Sequence, residues 1–225
     1  RCTDAFRPEW DRWTDFGIAR GAAFDTDALS STRPIELEVT SPADAEGMFD
    51  ILTYEKGAAV VRMLEQYLGG DRFRAGIRLY IARHAHGNTA TTDLWDAIEE
   101  ATGEPVRRIM DSWILQGGHP EVGVALDGAE VTVTQRRFRY EGAVLDDEAG
   151  AARWSVPVLL RWAAVDDGSD PRTERVLVEG ERTTLTLEAP PAWVLANSGG
   201  SGFFRVRYDG DGLAAAATAP DLTPL

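Results

Sequence analysis

The stretch "WILQGGHPEVGVALDGAEVTVTQ", residues 113–135, contains the point at which the hydrophobic period of the sequence changes. Before Gly117-Gly118, apolar residues recur every three or four positions, as they do on one face of an α-helix. After it, apolar and polar residues alternate on both sides of the turn pair Asp127-Gly128, which is typical of a β-hairpin. The stretch therefore predicts a helical first half and a β-rich second half.

Upstream of this junction, the sequence predicts four helices within residues 47–118. In the first of them, apolar positions downstream of Tyr54 follow the i, i+3, i+4, i+7 spacing, and a glycine pair supplies the stop. The third is closed by Gly103, and Pro105 opens the fourth at its first position, where a missing N–H group is harmless. Residues 1–46 are mixed, since "PEWDRWTDFGIAR" has a helical period and "STRPIELEV" favours an extended chain.

Downstream of the junction, the sequence predicts about seven short strands in some 90 residues, which is typical of an immunoglobulin-like β-sandwich. The predicted fold class is therefore α+β with two packed domains, helical over residues 1–118 and β-sandwich over residues 119–209. Residues 210–225 form a tail or the start of another unit. We expect four tryptophans that fall in phase with the apolar pattern to be buried: Trp95, Trp113, Trp154 and Trp162.

The composition excludes several classes of partner. With 37 acidic and 23 basic residues and a net charge of -14, the chain would be repelled by nucleic-acid phosphates and by anionic membrane surfaces. The only cysteine, Cys2, has no partner for an internal disulfide, which favours a cytoplasmic location. No apolar run is long enough for a membrane helix, and the start "RCTDAFRPEW" lacks the layout of a signal peptide. We expect the chain to be an internal piece of a longer protein.

The residues alone predict no metal site in this chain. It has three histidines, His84, His86 and His119, and no H-E-x-x-H motif. His84 and His86 are two positions apart, which on a helix places them on different faces. We interpret them as one helix-terminal and one loop histidine. A G-x-S-x-G motif, a phosphate-binding glycine loop and a Cys/His pair are also absent from the sequence.

Tyr54, in the stretch "FDILTYEKGAA", is the one candidate for catalytic chemistry. A tyrosine hydroxyl can donate a hydrogen bond to an oxyanion without losing its proton, so it suits an electrophilic helper. Lys56, two residues later, is the chain's only lysine. On spacing alone, the alternative stays open that Tyr54 is an ordinary half-buried tyrosine at a helix N-terminus and Lys56 a solvated first-turn residue.

A series of motifs gives this stretch a wider context. The runs "YEKGAAVVRMLEQYLG" and "FRAGIRLYIARHAHGNTATTDLWDAIEEATGEPVRRIMDSWILQGGHPEVGV" contain Y-E-K-G, aromatic-x-x-Gly, H-x-x-x-N, T-x-D-L-W and W-x-x-Q-x-G-x-P in this order. In order and spacing the chain resembles the M1 family of zinc aminopeptidases, of the aminopeptidase N type. The likeness extends back through "RPEWDRWTDF" and forward through "WSVPV" and "GFFRVRYD", so it covers most of the chain.

The resemblance implies a place in the larger enzyme for each part of this chain. Residues 1–118 would form the C-terminal helical half of a thermolysin-like catalytic domain, residues 119–209 the family's β-sandwich, and residues 210–225 the start of a C-terminal helical domain. The family's zinc site, H-E-x-x-H plus a glutamate, and its G-A-M-E-N substrate loop would lie upstream. We therefore expect zinc in the parent enzyme, and neither bound zinc nor peptidase activity in the isolated fragment.

The resemblance also implies roles for individual residues. Tyr54, the tyrosine of Y-E-K-G, would stabilise the tetrahedral oxyanion formed on the peptide carbonyl. Phe49 would line the substrate pocket, and Glu55 and Lys56 would be first-turn residues that help to place Tyr54 at the cleft. His119 departs from the family pattern, in which an aromatic residue is more usual before the proline.

The function implied is hydrolysis of N-terminal residues from peptide substrates by the parent enzyme. Two alternatives remain open from the sequence. One is a non-catalytic M1-like scaffold or interaction module, and the other is an independent ligand-binding role for the β-sandwich over residues 121–209. An H-E-x-x-H motif upstream in the parent reading frame would favour the enzyme.

Overall fold

The first half of the chain is helical. The computed structural model describes residues 2–140, 151–165 and 170–219. The α-helices before the junction are α1 (Cys2–Phe6), α2 (Arg12–Asp27), α3 (Pro42–Gly47), α4 (Gly57–Leu68), α5 (Gly70–Arg83), α6 (Thr91–Thr102) and α7 (Val106–Ile114). A 3-10 turn, Pro8–Trp10, precedes α2, and a π-helical turn, Leu52–Lys56, runs into α4. The four helices that the apolar spacing predicts are α4 to α7.

These helices form because each presents one apolar stripe to the interior. In α7 the buried positions are 106, 109, 110, 113 and 114, which is the i, i+3, i+4, i+7, i+8 pattern of a single helix face. The N-terminus of α6 is closed by Asp93, whose carboxylate accepts a 2.8 Å hydrogen bond from the Ala90 N–H. Gly103, at φ 70°, ends α6 in the left-handed conformation that glycine adopts without strain.

Helices α5 and α6 approach each other closely at Gly76. A Cβ atom added there would lie 2.7 Å from the Cα atom of Ile98 in α6, a distance that real Cβ atoms do not reach. Any side chain at this position would therefore push the two helices apart.

We expect Gly76→Ala to lower the free energy of unfolding by roughly 1–3 kcal/mol, because overpacking outweighs the better helix propensity of alanine. Gly21→Ala is the matched control, since Gly21 also lies inside a helix and a Cβ atom added there would meet no described atom within 4 Å. That variant should gain up to about 1 kcal/mol. Urea denaturation of both variants measures the difference, and equal shifts would show that the contact at Gly76 imposes no constraint.

The second half of the described chain is a β-sandwich. Its strands are β1 (Pro120–Asp127), β2 (Glu130–Arg137), β3 (Val156–Ala164), β4 (Arg172–Val178), β5 (Arg182–Thr186), β6 (Pro191–Leu195) and β7 (Arg205–Tyr208). They form one sheet of order β5-β2-β1-β7 and a second of order β4-β3-β6. Strands β1 and β2 form the predicted hairpin, while β1 and β7 pair in parallel. A short helix, α8 (Gly212–Ala216), follows β7.

One continuous hydrophobic core links the helices to the sheets. The indole rings of Trp113 in α7 and Trp154 before β3 lie 6.0 Å apart, and Trp113 Nε1 donates to the Ser155 carbonyl at 3.0 Å. Phe203 stacks on Phe24 of α2 at 4.2 Å. The predicted burial of the tryptophans is confirmed, with exposed fractions of 5% or less for Trp95, Trp113, Trp154 and Trp162.

The α+β fold class, helices followed by a β-sandwich, is therefore confirmed. The division into domains at residues 118 and 209 stays a prediction, because the core crosses the first of these boundaries. Residues 220–225 of the predicted tail lie outside the described residues. Within residues 2–140, 151–165 and 170–219, no helix combines the length and apolar character needed to cross a membrane.

Candidate active site around Tyr54

Tyr54 lies on the π-helical turn Leu52–Lys56, hereafter the Tyr54 turn. The Gly57 N–H donates to the Leu52 carbonyl five residues earlier, which is the hydrogen-bond pattern of a π-helix. Such turns are wider than an α-helical turn, are less common, and occur frequently at functional sites. The sequence predicts a helix start here but contains no signal for this change of geometry.

The Tyr54 side chain points outward beside a shallow cavity. Tyr54 is 57% exposed, and its hydroxyl forms no hydrogen bond with the residues that the structure describes. The ring of Phe49 lies 6.2 Å away and is itself on the surface. The cavity has a volume of about 430 Å³ and is lined by Ala19, Ala22, Phe49, Asp50, Ile51, Tyr54 and Glu55. The arrangement presents a phenol hydroxyl and an aromatic ring to whatever occupies this surface.

Asp50 fixes the beginning of the Tyr54 turn. Its carboxylate accepts hydrogen bonds from the N–H groups of Leu52 at 3.0 Å and Thr53 at 2.9 Å, and Arg33 forms an ion pair with it at 2.7 Å. Partial burial would raise the pKa of Asp50, but the Thr53 N–H bond and the Arg33 charge outweigh it and hold the pKa below its usual value. The carboxylate therefore remains charged and bonded to the turn.

Lys56 fixes the end of the turn, and it is not the solvated side chain of the alternative interpretation. It is fully buried, and its Nζ lies 3.0 Å from both carboxylate oxygens of Asp27. The same ammonium donates to the carbonyl of Gly118 at 3.0 Å and lies 3.5 Å from that of Gln116. Burial lowers the pKa of Lys56, and the Asp27 charge offsets part of that shift. The solvated interpretation of Lys56 is therefore wrong, because a partner charge and two carbonyls solvate the ammonium in place of water.

Asp27, at the end of α2, is also fully buried. Its Oδ1 accepts from the Thr32 hydroxyl at 2.7 Å and from the Gly118 N–H at 2.9 Å, in addition to Lys56. His119 Nδ1 faces Oδ2 at 3.5 Å, which is longer than a normal hydrogen bond. Burial would raise the pKa of Asp27, but the facing His119, the Lys56 charge and Thr32 together lower the pKa to about 2.

His119 belongs to this buried cluster. Its ring stacks on Phe138 at 5.2 Å and meets the edge of Phe24 at 4.9 Å. Burial lowers the pKa of His119, which keeps the imidazole neutral among these aromatic rings. The position that departs from the family pattern thus still stacks as an aromatic side chain does.

The glycine pair at the junction permits the cluster to form. Gly118 adopts φ 88°, donates its N–H to Asp27 and accepts Lys56 at its carbonyl. A Cβ atom on Gly117 would lie 3.0 Å from Thr32 Cγ2 and 3.1 Å from the carbonyl carbon of Arg33. The two glycines that mark the change of period therefore also allow the chain to pass close to the end of α2.

The low pKa of Asp27 makes a testable contribution to acid stability. Because the folded-state pKa lies below the unfolded value of 3.8, the contribution is fully present above about pH 4 and is lost as the pH falls towards 2. It corresponds to about 2 kcal/mol. Urea denaturation of wild type and Asp27→Asn from pH 5 to pH 2 should show the difference in free energy of unfolding shrinking by that amount. A constant difference would contradict the assignment.

The histidines do not assemble a metal site in the described part of the chain. His84 caps the C-terminus of α5, and His86 lies in the turn that follows the helix. Among residues 2–140, 151–165 and 170–219, no group of three His, Cys, Asp or Glu side chains could hold a metal ion.

The sequence interpretation missed Asp27 as a site residue and the placement of His119 beside Lys56. One signal was available: Lys56 is the only lysine among 23 basic side chains, and lysine and arginine are not interchangeable where the geometry of the bonds matters. No spacing rule connects it to Asp27, which lies 29 residues earlier.

Comparison with known proteins identifies the family. The model of the peptidase family M1 domain matches residues 1–113. Aminopeptidase M1-A of Oryza sativa subsp. japonica is 36% identical over 213 residues, which is 92% of this chain and 23% of the relative. Tricorn protease-interacting factor F2 of Thermoplasma volcanium is 34% identical over 215 residues, or 94% of this chain and 25% of the relative. Aminopeptidase M1 of Arabidopsis thaliana is 35% identical over 228 residues, 95% of this chain and 25% of the relative.

The chain thus spans about a quarter of the length of the curated relatives that it matches. The matched family model covers the helical half and includes the Tyr54 turn, and the relatives align through the β-sandwich as well. On these grounds the chain belongs to peptidase family M1.

Proposed function

We propose that this chain forms part of an M1 aminopeptidase that hydrolyses N-terminal residues from peptides. Its own contribution to the reaction is Tyr54, whose hydroxyl donates a hydrogen bond to the oxyanion that develops on the scissile carbonyl. The relatives named aminopeptidases support the activity. The Tyr54 hydroxyl at the cavity, which has no partner among the described residues, supports the residue's role.

The single observation that carries the proposal is the contrast between the Tyr54 side chain and its backbone. The turn is bonded at both ends, by Asp50 and by Lys56, while no described residue engages the hydroxyl between them. A donor that stands on a bonded backbone and has no bond to give up needs little reorganisation when negative charge develops. Phe49, beside Tyr54, is proposed to contact the substrate side chain in the same cavity.

Enzymes of this family are generally zinc enzymes. The described residues of this chain provide no set of three ligands, so no metal ligand is assigned to it. The role of Tyr54 is independent of which group activates the attacking water, since the hydroxyl acts on the carbonyl oxygen. The cytoplasmic location remains part of the proposal and rests on the single cysteine.

A second candidate is a non-catalytic scaffold or interaction module. The name of one relative, Tricorn protease-interacting factor F2, describes that protein by an interaction with a protease. A scaffold would bind its partner without turning over peptides.

The test is peptidase activity of the full-length protein that contains this chain. We expect it to release the chromophore from an aminoacyl anilide with a free α-amine and to leave the N-acetylated anilide intact. Cleavage of both substrates would indicate an activity other than an aminopeptidase, and cleavage of neither by the metal-loaded protein would favour the scaffold.

A further inference from the structure

We propose that the buried Lys56–Asp27 ion pair is the positioning device of the Tyr54 turn, so that both residues act on the reaction through the orientation of Tyr54. This inference rests on the proposed role of Tyr54 as the oxyanion donor. Neither residue lines the cavity beside Tyr54, and both side chains are fully buried.

Contacts of its own side chain do not hold Tyr54 in place. Its side chain is 57% exposed, its hydroxyl has no partner among the described residues, and its ring contact is to Phe49, which is 74% exposed. The backbone of the turn therefore sets the position of Tyr54 and the direction in which its side chain leaves the chain.

The geometry of this backbone depends on contacts at both ends of the turn. A π-helical turn is rare compared with an α-helical one, so we infer that contacts from the surrounding structure maintain it. At its start those contacts come from Asp50 and Arg33, which lie on the partly exposed side. At its end the Lys56 side chain supplies them from the interior.

The Lys56 side chain connects the turn to two distant parts of the fold. Its ammonium lies 3.0 Å from the Asp27 carboxylate at the end of α2 and 3.0 Å from the Gly118 carbonyl at the junction with β1. With the Gln116 carbonyl at 3.5 Å, oxygens from two separate segments surround it. Asp27 is in turn held by Thr32 and by the Gly118 N–H. Displacing the turn would break several of these charge-assisted bonds together.

The ion pair contributes differently to geometry and to stability. A buried ion pair contributes little net stability compared with well-packed apolar residues, whereas it imposes directional geometry that an apolar contact does not. The pocket also fits the compact ammonium of lysine, which directs single bonds to separate oxygens, rather than the planar fork of arginine. Lysine is used only here in a chain that otherwise uses arginine.

The experiment measures kcat and KM in the full-length protein for Tyr54→Phe, Lys56→Met, the double variant, and the control Glu65→Gln. Glu65 is likewise buried and pairs with Arg62 at 2.6 Å, but it lies on α4 beyond the turn. We expect Lys56→Met to lower kcat by about 10-fold to 10²-fold, since small misplacements of a catalytic group have effects of that size. KM should stay within a few-fold, and Glu65→Gln should leave kcat unchanged.

The double variant tests whether Lys56 acts through Tyr54. If it does, adding Lys56→Met to Tyr54→Phe should reduce kcat by less than about threefold more, because residues that act as a unit are non-additive. Fully multiplicative effects would overturn the inference. So would a Lys56→Met protein that loses stability yet keeps its kcat.

Thr32→Ala keeps the inference testable if Lys56→Met is unfolded at the assay temperature. This variant retains both charges and removes the 2.7 Å bond to Asp27 together with one methyl group. We expect a threefold to tenfold loss of kcat, on the order of a small misplacement. Unchanged kcat in Thr32→Ala then contradicts positioning. If Tyr54→Phe itself retains full kcat, the proposed function fails and this inference with it. If Tyr54→Phe lowers kcat but Lys56→Met and Thr32→Ala do not, only the inference is overturned.

Discussion

Tyr54→Phe in the full-length protein is expected to lower kcat by about 10²–10³-fold while KM stays within a few-fold. The substitution removes one hydrogen-bond donor and keeps the aromatic ring that lies against Phe49. Because the bond strengthens only as negative charge develops on the carbonyl oxygen, its loss affects the transition state more than substrate binding. Steady-state kinetics on an aminoacyl anilide measure both constants.

Tyr140→Phe is the matched control for that prediction. Tyr140 is also exposed, but its hydroxyl donates to Asp25 at 2.7 Å and lies away from the cavity. Its loss should leave kcat unchanged. A Tyr54→Phe enzyme with kcat within twofold of wild type would mean that Tyr54 has no catalytic role and is an ordinary tyrosine of the helix start.

Lys56→Met should have the largest effect on stability, lowering the free energy of unfolding by roughly 3–5 kcal/mol. Methionine matches the length and apolar stem of lysine, so little packing is lost. The loss arises because the Asp27 carboxylate stays buried without its main counter-charge, and the Gly118 carbonyl loses a donor. Urea denaturation of the chain at pH 7 measures the change.

Two comparisons separate this mechanism from a general loss of charge. Adding Asp27→Asn to Lys56→Met should restore part of the stability, since the unpaired negative charge is then gone. Arg83→Met, which removes one side of the exposed ion pair with Glu100, should cost no more than about 1 kcal/mol. A double variant that is no more stable than Lys56→Met alone would contradict the account of an uncompensated charge.

Local patterns in the sequence were sufficient to predict the fold class. Helical spacing before Gly117-Gly118 and alternation after it predict α7 and the β1–β2 hairpin, and both are observed. Each pattern indicates that one face of an element is suited to burial, and residues that are close in sequence express it. The motif order around Tyr54 likewise predicts the M1 family, which the matching family model confirms.

The sequence patterns predicted the candidate site residues less completely than the fold. The sequence interpretation identified Tyr54 and Phe49 by resemblance, and their roles stay predictions. It had no means to identify Asp27, because an aspartate at the end of an amphipathic helix is usually solvated. The sequence also gave no indication of the π-helical turn at Leu52–Lys56. The bonds at its two ends involve Asp50 and Asp27, which lie outside the turn.

By itself, the sequence determined that this chain has a helical half and a β-sandwich half, and which family it belongs to. These properties follow from periodicities and motifs that act over a few residues. Only the tertiary structure decided that the single lysine is buried. Its partners lie 29 residues upstream, at Asp27, and 62 residues downstream, at Gly118. A charge can leave water only where such distant groups replace its hydration shell, and the packing of the whole chain determines where they meet.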